Sequence, residues 1–295
     1  MAESGILLVD KPQGVTSHDI VARARRARGT RKVGHAGTLD PMATGLLLVG
    51  VEGATRLLTY LVGLGKTYEA TIRLGQATTT DDADGDVSRS AAAADVAAVT
   101  LERIADEVAR LTGAISQVPS AVSAIKVDGR RAYDRVRAGE DVQLAARDVV
   151  VSRFDVLARR DAAGVIDLDV IVDCSSGTYI RALARDLGDR LGVGGHLTRL
   201  RRTAVGPFSV DDAAGADALE DAGLAGPADV AGRVLGRLAV PQEIARDLRH
   251  GKRVAAPEAF SGLRAAIDEE GVLVGIVERR GREMKSVMNM PEVTA

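Results

Sequence analysis

The chain has one cysteine, Cys174, no tryptophan, and only four tyrosines and three phenylalanines among 295 residues. A single cysteine excludes any internal disulfide framework. It suits a reducing compartment. With so few rings the core must be built from Leu, Val, Ile and Ala, and the position of each tyrosine becomes informative. No apolar run approaches the ~20 residues needed to span a bilayer, and Met1-Ala2-Glu3-Ser4-Gly5 shows no basic stretch followed by a secretory apolar core. A soluble cytoplasmic protein is expected. Four histidines and one cysteine, with no paired-cysteine or His-x-Glu arrangement, offer no zinc site. Gly63-Leu64-Gly65-Lys66-Thr67 resembles a phosphate loop but has Tyr60 where a glycine is required. A calcium loop from Thr80 fails because Thr80 and Ala91 occupy ligand positions. No Gly-x-Ser-x-Gly elbow is present. No metal and no cofactor is expected.

What is present begins with charge placement. The net charge of −2 argues mildly against nucleic acid as a partner. The distribution is uneven, however. Arg23, Arg25, Arg26, Arg28, Arg31 and Lys32 form one basic block. Arg199, Arg201 and Arg202 form a second, and Arg279, Arg280, Arg282 and Lys285 a third. Acids collect in 81–107 and 211–229. Segregation of this kind can give one basic face on a near-neutral protein, although each block also reads as a solvated helix or turn.

Hydrophobic periodicity predicts a mixed α/β chain. Strands are expected at 6–9, 46–51, 66–74, 121–127, 149–157 and 165–172. Helices are expected at 19–28, capped by Thr16 or Ser17, at 54–61, at 101–111 capped by Thr100, and at 178–191. Thr78 to Ser90 reads as a polar, acidic loop, and the Ala/Gly/Asp-rich 211–236 as a joint between domains that could also hold a short helix. Beyond it come a short helix at 242–249 and strands near 263–267, 272–277 and 286–290, a small β-rich unit.

The most informative stretch is Gly34-His35-Ala36-Gly37-Thr38-Leu39-Asp40-Pro41-Met42-Ala43-Thr44-Gly45. Its glycines permit positive φ, and Pro41 fixes its own φ and pushes Asp40 out of the α region. Asp40 is therefore displayed on a stiff turn just before an apolar strand. Taken alone, an Asp-Pro pair is equally a simple turn in which the Asp side chain bonds its own backbone.

Four segments together resemble the TruB type of tRNA pseudouridine synthase, which converts uridine 55 in the T-loop of tRNA. They are Asp10-Lys11-Pro12-Gln13-Gly14-Val15-Thr16-Ser17-His18, the Gly34 to Gly45 loop, Gly65-Lys66-Thr67-Tyr68-Glu69-Ala70, and Cys174-Ser175-Ser176-Gly177-Thr178-Tyr179-Ile180-Arg181 running on through Asp186-Leu187-Gly188. A weaker fifth match spans Ser123 to Tyr133, with Val122 where the family has Tyr and Val136-Arg137 where it has Ala-Arg. The resemblance implies an α+β catalytic domain on a large mixed sheet, from 1 to 230, and a small PUA-like RNA-binding domain from 231 to 295. It implies the tRNA T-arm stem-loop as partner, no membrane, no obligate protein partner, and a monomer.

Pseudouridine formation breaks the C1′–N1 bond, turns the base and joins C1′ to C5, with no redox change. By resemblance Asp40 is the catalytic carboxylate, attacking C1′ or taking the C2′ proton. Arg181 resembles the arginine that pairs with it, and Tyr68 the tyrosine that stacks on the target base. Tyr179 lines the same pocket, and His35 fills the space left by the flipped base. Lys11, His18, Arg31 and Lys32 are candidate phosphate contacts, and Asp82 a candidate contact to the substrate loop. Two other classes remain open at this point: a base-removing RNA glycosylase, and a non-catalytic tRNA-binding module.

Overall fold

The computed structural model describes residues 3–120, 126–127, 130–131, 144–257 and 260–291. Along the chain the first elements are β1 (Gly5–Lys11), α1 (Ser17–Ala27), β2 (Val33–His35), β3 (Thr44–Val51), α2 (Leu58–Val62), β4 (Lys66–Leu74), β5 (Gln76–Thr78) and β6 (Val87–Ser90). Then come α3 (Ala93–Ala97), α4 (Leu101–Arg110), β7 (Gly113–Gln117), β8 (Lys126–Val127), β9 (Arg130–Arg131), β10 (Arg147–Ala162) and β11 (Val165–Cys174). They are followed by α5 (Ile180–Arg190), β12 (Gly195–Val205), β13 (Phe208–Ser209), β14 (Ala214–Gly215) and α6 (Pro227–Leu235). The last are β15 (Arg237–Ala239), α7 (Gln242–Arg249), β16 (Val254–Ala255), β17 (Leu263–Ile267), β18 (Leu273–Arg280) and β19 (Glu283–Asn289). The largest sheet has ten strands. It is mixed, because β1 runs parallel to β14 but antiparallel to β3. The α+β class on a large mixed sheet, with a β-rich C-terminal part, is as expected.

Contacts divide the chain into two units, Met1–Pro41 with Gly45–Gly63 and Gly206–Ala295, and Met42–Thr44 with Leu64–Val205. In the first unit β1 and β3 pair over Gly5↔Val51 to Lys11↔Gly45. Their apolar faces join Ile20, Val21 and Ala24 of α1 in one core. The helix starts at Ser17, two residues before the expected 19, and of the two candidate caps Thr16 serves, in a reciprocal pair with Asp19 that satisfies two otherwise orphan donors. The 211–236 stretch does hold a short helix. Ala216 and Leu219 lie in this same core, and 227–235 is helical. A second core, including Val240, Ala245, Leu248, Val274 and Met284, fills the C-terminal sheet, ordered β15-β17-β18-β19-β16.

In the second unit β4 is central, antiparallel to β11 on one side and β12 on the other. β10 and β7 continue outward from β11. The expected strand at 66–74 is matched residue for residue. Two expectations are corrected. The acidic stretch at 78–90 is framed by a hairpin, β5 with β6, and the expected helix at 54–61 is a 3-10 turn at 52–57 followed by the short α2. The fifth matching segment, Ser123 to Tyr133, and the expected strand at 121–127 lie outside the described residues except for β8 and β9.

Candidate active site

Asp40 sits in the first unit, in a loop held on both sides. β2 pairs with β3 through His35↔Val49, and Ala36 N–H donates to the Leu48 carbonyl. Gly37 then turns the chain with φ +95°, a conformation that favours glycine. Immediately before Asp40, the Ser17 hydroxyl accepts from Leu39 N–H (2.9 Å) and donates to Leu39 C=O (3.1 Å). Immediately after it, the Pro41 carbonyl accepts from Gly14 N–H (2.8 Å) and from the Lys11 ammonium (3.4 Å). Ser17 is itself fixed as the first residue of α1. Segments 10–18 and 34–45, remote in sequence, are thus one structural device that fixes the backbone carrying the carboxylate.

Lys11 needs correcting. It is fully buried, and its ammonium donates to the carbonyls of Pro12, Val15 and Pro41. A buried cation needs such oxygens. Lys11 therefore braces the Asp40 loop from within, where a surface phosphate contact was expected.

His18, exposed near the start of α1, and His35, half-buried at the end of β2, are brought together edge-to-face with ring centroids 5.5 Å apart. Arg31 and Lys32 are exposed on the turn between α1 and β2. Lys32 reaches Glu52 at 3.3 Å and remains largely exposed.

The second unit holds the other predicted residues. On β4 burial alternates, so Lys66, Tyr68 and Ala70 share the inward face. Tyr68 stands in register between Val172 of β11 and Arg202 of β12. Arg202 is 1% exposed, so this member of the second basic block is not a surface cation. Burial, with the nearby Arg202 charge adding to it, brings the Lys66 ammonium down to about 8. Burial likewise pushes the Cys174 thiol up to about 11, which marks it as an unreactive core residue.

Tyr179 is the N-cap of α5, but its own side chain makes no capping hydrogen bond. Gln117 does the work instead: its Oε1 accepts from Tyr179 N–H (2.8 Å) and its Nε2 donates to Tyr179 C=O (3.1 Å). Gln117 is almost fully buried. Sequence reasoning missed it, since a lone Gln ending a strand carries no pattern.

Arg181 is 3% exposed, so it is not the surface arginine that its place at a helix start also allows. Its Nη1 donates to the Thr80 carbonyl at 2.8 Å and pairs with Asp82 Oδ2 at 3.4 Å. Asp82 is 4% exposed and also accepts from the Thr80 hydroxyl and from Asp84 N–H. Asp82 was expected to touch the substrate loop; its burial makes it the carboxylate that orients Arg181. Beside it Asp81, at φ +60°, pairs with Arg185 at 3.2 Å. Among the described residues no group of three or more His, Cys, Asp and Glu side chains is arranged to hold a metal ion.

The family models match in series: the N-terminal domain of TruB family pseudouridylate synthase over 25–180, the tRNA pseudouridylate synthase B C-terminal domain over 181–245, and the C-terminal model of tRNA pseudouridine synthase II over 235–291. A tRNA pseudouridine synthase B of Leifsonia xyli subsp. xyli is 57% identical, covering 99% of this chain and 98% of that one. The chain belongs to the TruB family. The counterpart of the same name from Corynebacterium diphtheriae is 50% identical over 97% of this chain and 96% of its own. A solved H/ACA ribonucleoprotein bound to a substrate RNA contains a chain with a TM-score of 0.71 at 23% identity, covering 98% of this chain and 85% of that one. That likeness shows the TruB fold alone. For this TruB family member, the four principal segments that carried the resemblance all lie among the described residues. Segment 10–18 and residues 34–41 of the second segment meet in the first unit, while 65–70 and 174–188 belong to the second.

Proposed function

We propose that this TruB family pseudouridine synthase acts on tRNA and isomerises uridine 55 of the T-loop, with Asp40 as the catalytic carboxylate. The observation that carries the reading is the double clamp on the Asp40 backbone, from Ser17 on one side and from Gly14 and Lys11 on the other. A reacting carboxylate must be held within a fraction of an ångström of its target, and a loop fixed at both flanks supplies that. The relatives' shared name, tRNA pseudouridine synthase B, supports tRNA as the substrate class.

In this reading the target nucleotide is flipped from its loop, at a cost of a few kcal/mol. Tyr68 stacks on the base, a contact worth about 1–3 kcal/mol, and assists loss of the C5 proton. Asp40 attacks C1′ or takes the C2′ proton. Arg181, aimed by Asp82, supplies a positive charge to the reaction. His35, with His18 beside it, meets the RNA at the vacated position, and Arg31 and Lys32 meet phosphates. Residues 1–230 form the catalytic domain and 231–295 a PUA-like RNA-binding domain. The protein works in the cytoplasm, without an obligate protein partner.

The test is incubation with an unmodified tRNA transcript and mapping by carbodiimide-dependent primer extension. A single new stop at position 55 is expected, with none from Asp40→Asn protein. Free uracil in place of pseudouridine would mean a glycosylase, and binding without any new base would mean a non-catalytic tRNA module.

A further inference from the structure

Behind the C-terminal end of α1 lies an open cleft of about 600 Å³, lined by Arg25, Arg26, Gly29, Thr30 and Arg31. The backbone beneath it is fixed by the fold. Gly29 takes φ +60°, Arg28 N–H donates to the Ala24 carbonyl, and Thr30 N–H donates to the Arg25 carbonyl. Glu52 pins the turn from outside, accepting from the Thr30 hydroxyl and pairing with Lys32, while Glu52 N–H donates to the Lys32 carbonyl. Those two side-chain donors hold the Glu52 carboxyl below its usual range, the Thr30 hydroxyl more than Lys32, so the one acid at this turn has its charge answered locally.

The three lining arginines divide by partner. Arg25 spends one guanidinium nitrogen on the Val33 carbonyl, which fixes its direction. Arg26 and Arg31 are exposed, and among the described residues their guanidiniums make no hydrogen bond or ion pair. Arg28 is turned away to the Ala222 carbonyl and does not line the cleft. Three cations at the end of a helix exceed what its dipole, equivalent to about half a negative charge, can balance. Forked guanidiniums around a preformed cleft match phosphate oxygens in geometry as well as in charge.

We infer that this cleft is a binding site for a phosphate oxyanion, and that the phosphate is a backbone phosphodiester of the tRNA a short distance from the target nucleotide. The inference rests on the tRNA reading above. It adds Arg25 and Arg26 to the RNA surface and makes the turn a shaped subsite in place of a diffuse patch. The distance follows from the chain itself: Arg31 and His35 are four residues apart, so at most about 14 Å separates their backbones. That is a few nucleotides of a strand that rises about 3.4 Å per residue.

The experiment measures affinity for an unmodified tRNA transcript, from about 50 to 200 mM salt, with the full-length wild type, Arg26→Ala/Arg31→Ala and Arg26→Lys/Arg31→Lys. The alanine pair is expected to bind at least about tenfold more weakly at low salt. Its salt slope should fall by about 0.7–0.9 for each phosphate that is no longer neutralised. The lysine pair should keep the slope, since it keeps both charges, and regain part of the affinity. Circular dichroism and melting confirm that each variant is folded. A second arm titrates the free protein with inorganic phosphate alone and follows the arginine Nε–H resonances. Shifts at Arg26 and Arg31, coupled with unchanged tRNA affinity in the alanine pair, would make this a free-anion site and overturn the RNA assignment. Unchanged affinity and slope without such shifts would overturn the cleft altogether, as would a loss confined to the saturating single-turnover rate. If the wild type neither binds nor converts tRNA, the parent reading fails instead, and the two failures are told apart.

Discussion

Replacing Arg181 by methionine leaves the Asp82 carboxylate 4% exposed without its guanidinium, served by the Thr80 hydroxyl and the Asp84 N–H. Breaking a buried ion pair by removing one partner costs about 3–5 kcal/mol. Both remaining donors point at the same oxygen, Oδ1, so Oδ2, the one that faced Arg181, loses most. The expected loss is about 3 kcal/mol or more, large against a typical total stability of about 5–15 kcal/mol. Adding Asp82→Asn removes the orphan charge yet keeps an acceptor for Thr80 and Asp84. Eliminating both members of a buried pair is often neutral or stabilising. The double variant should therefore be more stable than Arg181→Met alone, by about 1–3 kcal/mol, while both fail to turn over. Urea unfolding at constant slope gives the stabilities, and single-turnover pseudouridine formation on the same preparations gives the activity. A loss below about 1 kcal/mol for Arg181→Met would mean that the pair behaves like a screened surface bridge. Recovery of activity in the double variant would show that the reaction does not need Arg181.

Asp40→Asn should reduce single-turnover activity below about 1% of wild type while tRNA affinity, set mainly by phosphates, stays nearly unchanged; a separate filter-binding titration checks the second half. Ser17→Ala strips the Leu39 N–H and C=O of their buried partner, costing about 1–3 kcal/mol and, through displacement of Asp40, about a hundredfold in rate; full activity in this variant would detach Asp40 from the clamp. Lys66 titrates at about 8 in the folded chain against 10.5 as its ordinary value, so between those values the unfolded chain holds more protons and stability should rise with pH, by up to about 3 kcal/mol. Cys174 acts in the opposite sense between 9.0 and about 11, where the unfolded thiol ionises first. Urea midpoints should thus climb mainly from about pH 8 to 9 and then level off. Lys66→Met should abolish the climb and Cys174→Ala should extend it, and a wild-type midpoint that falls steadily over this range would contradict the burial of Lys66.

Local chemistry made much of this protein legible in its sequence. The capping pair at Thr16 and Asp19, the alternation along Lys66 to Leu74, and the bounds of the helix at 242–249 follow from interactions within one turn or one strand face. β12 was not legible: Gly195 to Val205 contains Arg199, Arg201 and Arg202, and arginine reads as surface until a fold supplies partners. The hairpin of β5 and β6 was hidden for a related reason, since every residue of Val87–Ser90 is exposed and no apolar face marks the strand.

The sequence by itself pointed to Asp40, Tyr68, Tyr179 and Arg181 as candidates for chemistry, because they stand in motifs that resemble one family. Only the tertiary structure decided what holds them. Ser17 and Leu39 are 22 positions apart, Gln117 and Tyr179 are 62 apart, and the Thr80 carbonyl and Arg181 are 101 apart. Nothing in residue spacing reports contacts at such separations. They also decided that Lys11 and Asp82, polar residues that read as surface contacts, are internal braces. A polar group is buried only where long-range packing brings it the hydrogen bonds that offset its lost hydration.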